Sequence, residues 1–253
     1  EGTGGTSTST SYQSTGIVIE DRNPSSVTRR AAFIASGSAD LKVTGTAGTQ
    51  AGVPNVSGIL LWGGPQFKVV NGKMTVKGIA AGSGSGLNIV NSNSSVIPPV
   101  IFSSSGSGNM LLQGTAEGTT PGMILQDVRM ESTSTLANAG RIFLQNEATP
   151  GDLSGNNEVR ILGQTEFMGR TRIITDIFNV TSSYLTRFPV AITGNTPITE
   201  YDQFVTAGSV NVGGDLVVSR LPTFNPLVSD EFVIVNNTGD QPVTGQFNGL
   251  QEG

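Results

Sequence analysis

The residues best suited to chemistry are a run of acids in the second half of the chain, Asp152, Glu158 and Glu166, interleaved with Arg160, Arg170 and Arg172. Two carboxylates flanking one bond can cleave a glycosidic linkage, one as acid and the other as base or nucleophile. Their spacing follows no defined motif, and interleaved opposite charges equally describe a solvated, charge-paired face, which is the preferred reading. The sequence has no His and no Cys. That removes the commonest general base, the thiolate nucleophile and the usual zinc ligands together, so Ser-His-Asp catalysis and ordinary zinc hydrolysis are excluded. No catalytic residue is assigned, and the chain is read as a non-enzyme.

Calcium is the one metal for which oxygen ligands are on offer. Asp215, in Gly213-Gly214-Asp215, and Asp240, in Asn236-Asn237-Thr238-Gly239-Asp240, are the candidate ligands. Both strings also suit plain turns, where Asn, Asp and Gly tolerate positive φ, and the acidic nonapeptide of calcium-binding β-rolls is absent. Gly82-Ser83-Gly84-Ser85-Gly86 lacks the Lys-Ser or Lys-Thr of a phosphate loop and reads as a turn. Trp62 is the candidate platform for a sugar or a partner, although its place at the end of an apolar strand favours the core. Four Asn-x-Ser/Thr tripeptides begin at Asn55, Asn93, Asn179 and Asn236 and are read as incidental.

Charged residues are only 13% of the 253 and the net charge is −5, so the solvated surface falls to Ser, Thr, Asn and Gln. Such a surface is typical of extended extracellular β-structure. Fourteen basic against nineteen acidic residues leave no phosphate-neutralising stripe, so nucleic acid is not an expected partner. No apolar run reaches the length of a membrane-spanning helix. The chain opens at Glu1 without a signal-peptide pattern and reads as a segment of something longer.

What must position these residues is a repeat. Asp40–Gly45, Lys73–Gly78, Asn109–Gly114 and Arg141–Asn146 align as one strand and its turn, at spacings of 33, 36 and 32 residues. A second strand follows at Gly58–Leu61, Gly86–Ile89, Gly122–Leu125 and Glu158–Ile161. A weaker third is placed at Phe67–Val70, Val100–Phe102, Val128–Met130 and Ile173–Ile174. Apolar side chains at alternate positions predict one buried face per strand. The predicted core is Leu41, Val43, Ile59, Leu61, Met74, Val76, Leu87, Ile89, Met110, Leu112, Met123, Leu125, Ile142, Leu144, Val159 and Ile161. One unit of three short strands cannot bury that face alone, whereas stacked units can. The fold expected is therefore all-β, a right-handed parallel β-helix (β-solenoid) with about three short strands per repeat. Long corners such as Ser92–Pro99 would project as loops. An antiparallel sandwich is the rival, but the turns are too long and regular for hairpins, despite Asn71-Gly72 and Asn248-Gly249.

The expected organisation is a polar, Gly- and Thr-rich leading segment with the first strands at 1–35, repeats at 36–191 and a distinct β module at 192–253. Within that module Tyr201-Asp202-Gln203-Phe204, Val210-Asn211-Val212-Gly213-Gly214, Asp230-Glu231-Phe232-Val233-Ile234-Val235-Asn236-Asn237 and Gly245-Gln246-Phe247-Asn248-Gly249-Leu250-Gln251-Glu252-Gly253 follow in order. These strings resemble the C-terminal module of bacterial autotransporter-associated β-strand repeat proteins, with Phe204 where Leu is more usual, and the earlier repeats more loosely resemble filamentous-haemagglutinin-like surface β-helices. The resemblance implies an extracellular or cell-surface parallel β-helix with adhesive, coating or filament-building roles, no catalytic residues, and a module that continues past Gly253. The expected function is a structural part of a surface filament, sheath or layer, with self-association or continuation into a larger repeat protein as the partner. An adhesin stalk, or a β-helix that binds or cleaves polysaccharide with a surface glycan as partner, is the alternative. Calcium is the only cofactor considered.

Overall fold

A computed structural model describes residues 2–3, 15–20, 30–48, 56–80, 84–90, 98–116, 120–132, 141–145, 158–162, 166–168, 171–175, 177–180, 187–197, 200–206 and 210–250. Among them there are strands and turns but no helix. Asp152, Arg170, Asn55 and the corner from Ser92 to Ile97 lie outside the described residues.

The strands form three parallel sheets in which every third strand in chain order is a neighbour. The first sheet runs β1 (Gly2–Thr3), β4 (Leu41–Thr46), β7 (Met74–Ile79), β10 (Met110–Thr115), β13 (Ile142–Gln145), β16 (Thr171–Thr175), β19 (Phe204–Thr206), β22 (Val235–Asn237). The second runs β2 (Ile17–Glu20), β5 (Ile59–Trp62), β8 (Leu87–Ile89), β11 (Met123–Gln126), β14 (Glu158–Leu162), β17 (Ile177–Val180), β20 (Val210–Val212), β23 (Val243–Gly245). The third runs β3 (Ala32–Ile34), β6 (Gln66–Val69), β9 (Val100–Ser104), β12 (Val128–Ser132), β15 (Glu166–Met168), β18 (Arg187–Ile192), β21 (Asp215–Arg220). Each repeat thus gives one strand to each sheet, as the sequence pattern predicts. Parallel pairing removes the antiparallel sandwich as an alternative.

One feature differs from expectation. Ile173 and Ile174 belong to β16 in the first sheet, paired with Leu144 and Gln145, and the third-sheet strand of that repeat is β15. The strands beyond residue 192 continue the ladders of the preceding ones: Ile173 pairs with Phe204 and Phe204 with Val235, so the same three sheets cross that boundary.

Register converts alternation into columns. Leu41, Met74, Met110 and Ile142 stack in the first sheet beside Val43, Val76, Leu112 and Leu144. Ile59, Leu87, Met123 and Val159 stack in the second beside Leu61, Ile89, Leu125 and Ile161. Of these, Leu41 is half-buried against the core and Val43 is at its margin; from Ile59 through Leu144 the rest are fully buried. In the third sheet Phe33, Phe67 and Phe102 stack face to face, with centroids 5.1 and 5.0 Å apart and rings within 13° of parallel. The strand spacing of about 4.8 Å is what brings like rings into stacking distance.

The first and second sheets meet at a glycine seam. Gly45, Gly78 and Gly114 are in register, and a Cβ on them would lie 2.2, 1.9 and 2.1 Å from the carbonyl oxygens of Gly58, Gly86 and Gly122. The two backbones touch where one sheet ends and the next begins. Ala47, Val56 and Ala80 pack into a small separate core beside the seam. At the start of the first-sheet strands, Asp40 Oδ1 accepts a hydrogen bond from Lys73 N (2.7 Å) and Asn109 Oδ1 one from Arg141 N (2.8 Å). A polar side chain thereby ties one repeat to the next.

Candidate functional surface

The described members of the acid-rich run are divided among the three sheets. Glu158 and Arg160 fall on β14 in the second sheet, Glu166 on β15 in the third and Arg172 on β16 in the first. What register assembles instead is a row across the third sheet: Arg129 opposite Glu166, Glu166 opposite Arg187, Arg187 opposite Asp215. Charges alternate in sign over four neighbouring strands, the arrangement in which cross-strand pairs are favourable. Arg129 Nε also lies 3.7 Å from Glu131 Oε1. Spacing could not have revealed this row, because its members are 37, 21 and 28 residues apart (129, 166, 187, 215).

Beside it on the outward face runs a second row, Ile34, Lys68, Ser103 and Glu131. With Val70 and Ser105 at the corner these residues line a groove of about 330 Å³. The floor strands β6 and β9 are each paired on both sides. Their backbone groups are therefore committed to the ladders, and the groove offers side chains. Its corner is fixed by Asn71 Oδ1, which accepts from Ser107 N (3.2 Å) and Ser107 Oγ (3.3 Å), and by Ser104 Oγ donating to the Val70 carbonyl (3.3 Å).

Trp62 takes the outward parity of β5 and is half-buried, alternating with fully buried Ile59 and Leu61. The core placement favoured by its position at the strand end is thus corrected: strand parity, the same rule that found the core, puts it on the outside. Asp215 Oδ1 accepts a hydrogen bond from Asn248 Nδ2 (2.7 Å), and Asp240 is exposed. Among the described residues no three acidic side chains come together as a calcium ion's ligands would.

The C-terminal strings resolve into one set of contacts. Tyr201 is buried and meets Phe232 edge-on at 5.3 Å, and Phe232 meets Phe224 at 6.3 Å. Asp202 Oδ2 accepts from Ala191 N (2.9 Å), and Gln203 Nε2 donates to the Val233 carbonyl (2.8 Å). Phe247 packs edge-on to Phe188 at 5.8 Å. The backbone turn ahead of them is closed by Glu200, whose carboxylate accepts from Thr196 N (2.9 Å). Hydrogen bonds from the Thr196 side chain and backbone hold that carboxyl below its usual range. Tyr201 and Gln203 thus reach the following repeat, while Glu200 holds its own turn.

No helix among the described residues is long and apolar enough to cross a membrane. Comparison with protein-family models, with curated proteins and with solved structures finds no match.

Proposed function

We propose that this chain is a right-handed parallel β-helix that serves as a structural component of a bacterial extracellular or cell-surface assembly, a filament, sheath or layer, and that it carries no reaction of its own. The observation behind this reading is that the parallel ladders run from repeat to repeat through all three sheets and that Asp40, Asn71, Asn109 and Gln203 bond across from one repeat to the next. Right-handed winding is the sense that strand–crossover–strand connections between parallel neighbours adopt almost without exception. A stack of this kind grows by addition of further layers, from the same chain or from a second copy. The outermost third-sheet strands carry apolar side chains that such a layer would cover: Ile34 on β3 is 67% exposed, and Val218 on β21 is 54% exposed although it pairs with fully buried Val190. Unpaired strand edges recruit other strands. The resemblance of residues 192–253 to autotransporter-associated repeats, and the uncharged polar composition, support a bacterial surface location.

Negative-stain electron microscopy of the natural full-length protein, with and without a calcium chelator, tests the proposal. Regular fibres or sheets are expected, and they should survive chelation. A dilute, stable monomer by sedimentation would overturn assembly, and fibres lost on chelation would return Asp215 and Asp240 to consideration as calcium ligands.

A further inference from the structure

We infer that the third-sheet groove is a binding site for an acidic oligosaccharide, a chain of sugar rings carrying a carboxylate. The row Ile34, Lys68, Ser103, Glu131 places an apolar side chain, an ammonium, a hydroxyl and a carboxylate on four successive strands, so consecutive groups stand about 4.8 Å apart. The cavity of about 330 Å³ reaches the size at which small-ligand sites begin.

The lining selects among ligand classes. The Lys68 side chain makes no ion pair or hydrogen bond among the described residues, which leaves its ammonium available to an anion. Glu131, with Arg129 beside it at 3.7 Å, takes hydroxyl donors at the other end of the row, and Ser103 between them both donates and accepts. Ile34, two-thirds exposed, offers an apolar patch to the C–H face of a ring. An extended peptide would bind such a sheet by adding a strand, which β6 and β9 do not allow because both their edges are occupied, and which at β3 would lie beside the row and not across it. A polyanion such as nucleic acid is opposed by Glu131 in the row and by the net charge of −5. A hydroxyl-rich ligand with an isolated carboxylate satisfies all four positions. Three of the four strands that carry the row, β6, β9 and β12, lie within the stack, and β3 is the outermost strand of its sheet, so an added layer would meet the site only at Ile34.

Titration calorimetry of the full chain with a galacturonate disaccharide and with its neutral galactose counterpart tests the site. Saturable binding of the acidic sugar is expected, with Lys68→Gln weakening it at least tenfold and leaving the neutral sugar unaffected. Glu131→Gln should weaken both sugars several-fold. These side chains face outward, so far-UV circular dichroism and the unfolding midpoint should stay close to the parent's and show that the variants fold. No saturable binding of the acidic disaccharide, or equal binding by Lys68→Gln, would overturn the proposal. Equal binding of a carboxylate-bearing peptide with the same Lys68 dependence would overturn the assignment to a sugar.

Discussion

Gly78 shows how tightly a single residue can be specified without any chemistry of its own. A methyl group there would sit 1.9 Å from the Gly86 carbonyl oxygen, which is backbone and cannot swing aside. Gly78→Ala should therefore destabilise by about 2–3 kcal/mol, in the range for overpacking a rigid site. Gly37 is the matched control. It has a positive φ of 62°, but a methyl group added there would meet nothing within 4 Å, so Gly37→Ala should cost only about 1 kcal/mol, the backbone term alone. Urea denaturation of the two variants measures both, and equal costs would mean that the seam is not a close contact in solution. The same scale explains what the sequence hid and showed. Alternation sufficed to place Leu61, Val76 and Met123 inside, and applied to Trp62 it would have placed that ring outside. The favoured core position came from its place at the end of an apolar strand, which says nothing about parity.

At the scale of elements, the turn from Thr193 to Glu200 depends on one carboxylate. Thr193 N and Oγ1 both donate to the Glu200 carbonyl, and Glu200 Oε2 closes the loop on Thr196 N. Because the folded carboxyl titrates below its unfolded value, its contribution is present above the ordinary carboxylate range and is lost as pH falls through the lowered folded value. Side-chain NMR titration should find Glu200 depressed relative to other exposed glutamates, and the protection of the Thr196 amide, its exchange rate set against the intrinsic rate at each pH, should fall at low pH. In Glu200→Gln that pH dependence of protection should disappear; its persistence would assign the effect to another group. This loop was not legible beforehand, since Glu200 is an ordinary exposed acid until the backbone folds over it. Tyr201, Asp202 and Gln203 were visible as a string, but their separate tasks, ring packing, amide capping and cross-repeat bonding, needed the fold. The misplacement of Ile173 has a simple cause. The step from Ile142 to its ladder partner Thr171 is 29 residues, shorter than the three before it, so a fixed period drifts into the wrong sheet.

Over the whole molecule, sheet membership and the stacking of repeats were readable because the buried columns repeat residue types at nearly constant positions. The outward rows were not, because solvent imposes no such constraint and the loops between rungs differ in length. The alternating row Arg129, Glu166, Arg187, Asp215 is the clearest case, and it yields a test of register beyond the well-buried repeats. Glu166→Lys would place three cations on adjacent strands and should destabilise by about 1 kcal/mol, more at low salt and less at high salt. An unfolding midpoint that shifts equally at low and high ionic strength would show that these positions do not face one another.

The glycine seam has one more consequence, which concerns how such a protein can change. Gly45 and Gly58 are thirteen positions apart, whereas Gly78 and Gly86, and Gly114 and Gly122, are eight apart, yet all three pairs close in the same way. The close approach fixes where one sheet hands over to the next, so the number of residues between the paired glycines can change while the sheets keep their register. A lineage or a designer can therefore alter that length from one repeat to the next without redrawing the scaffold.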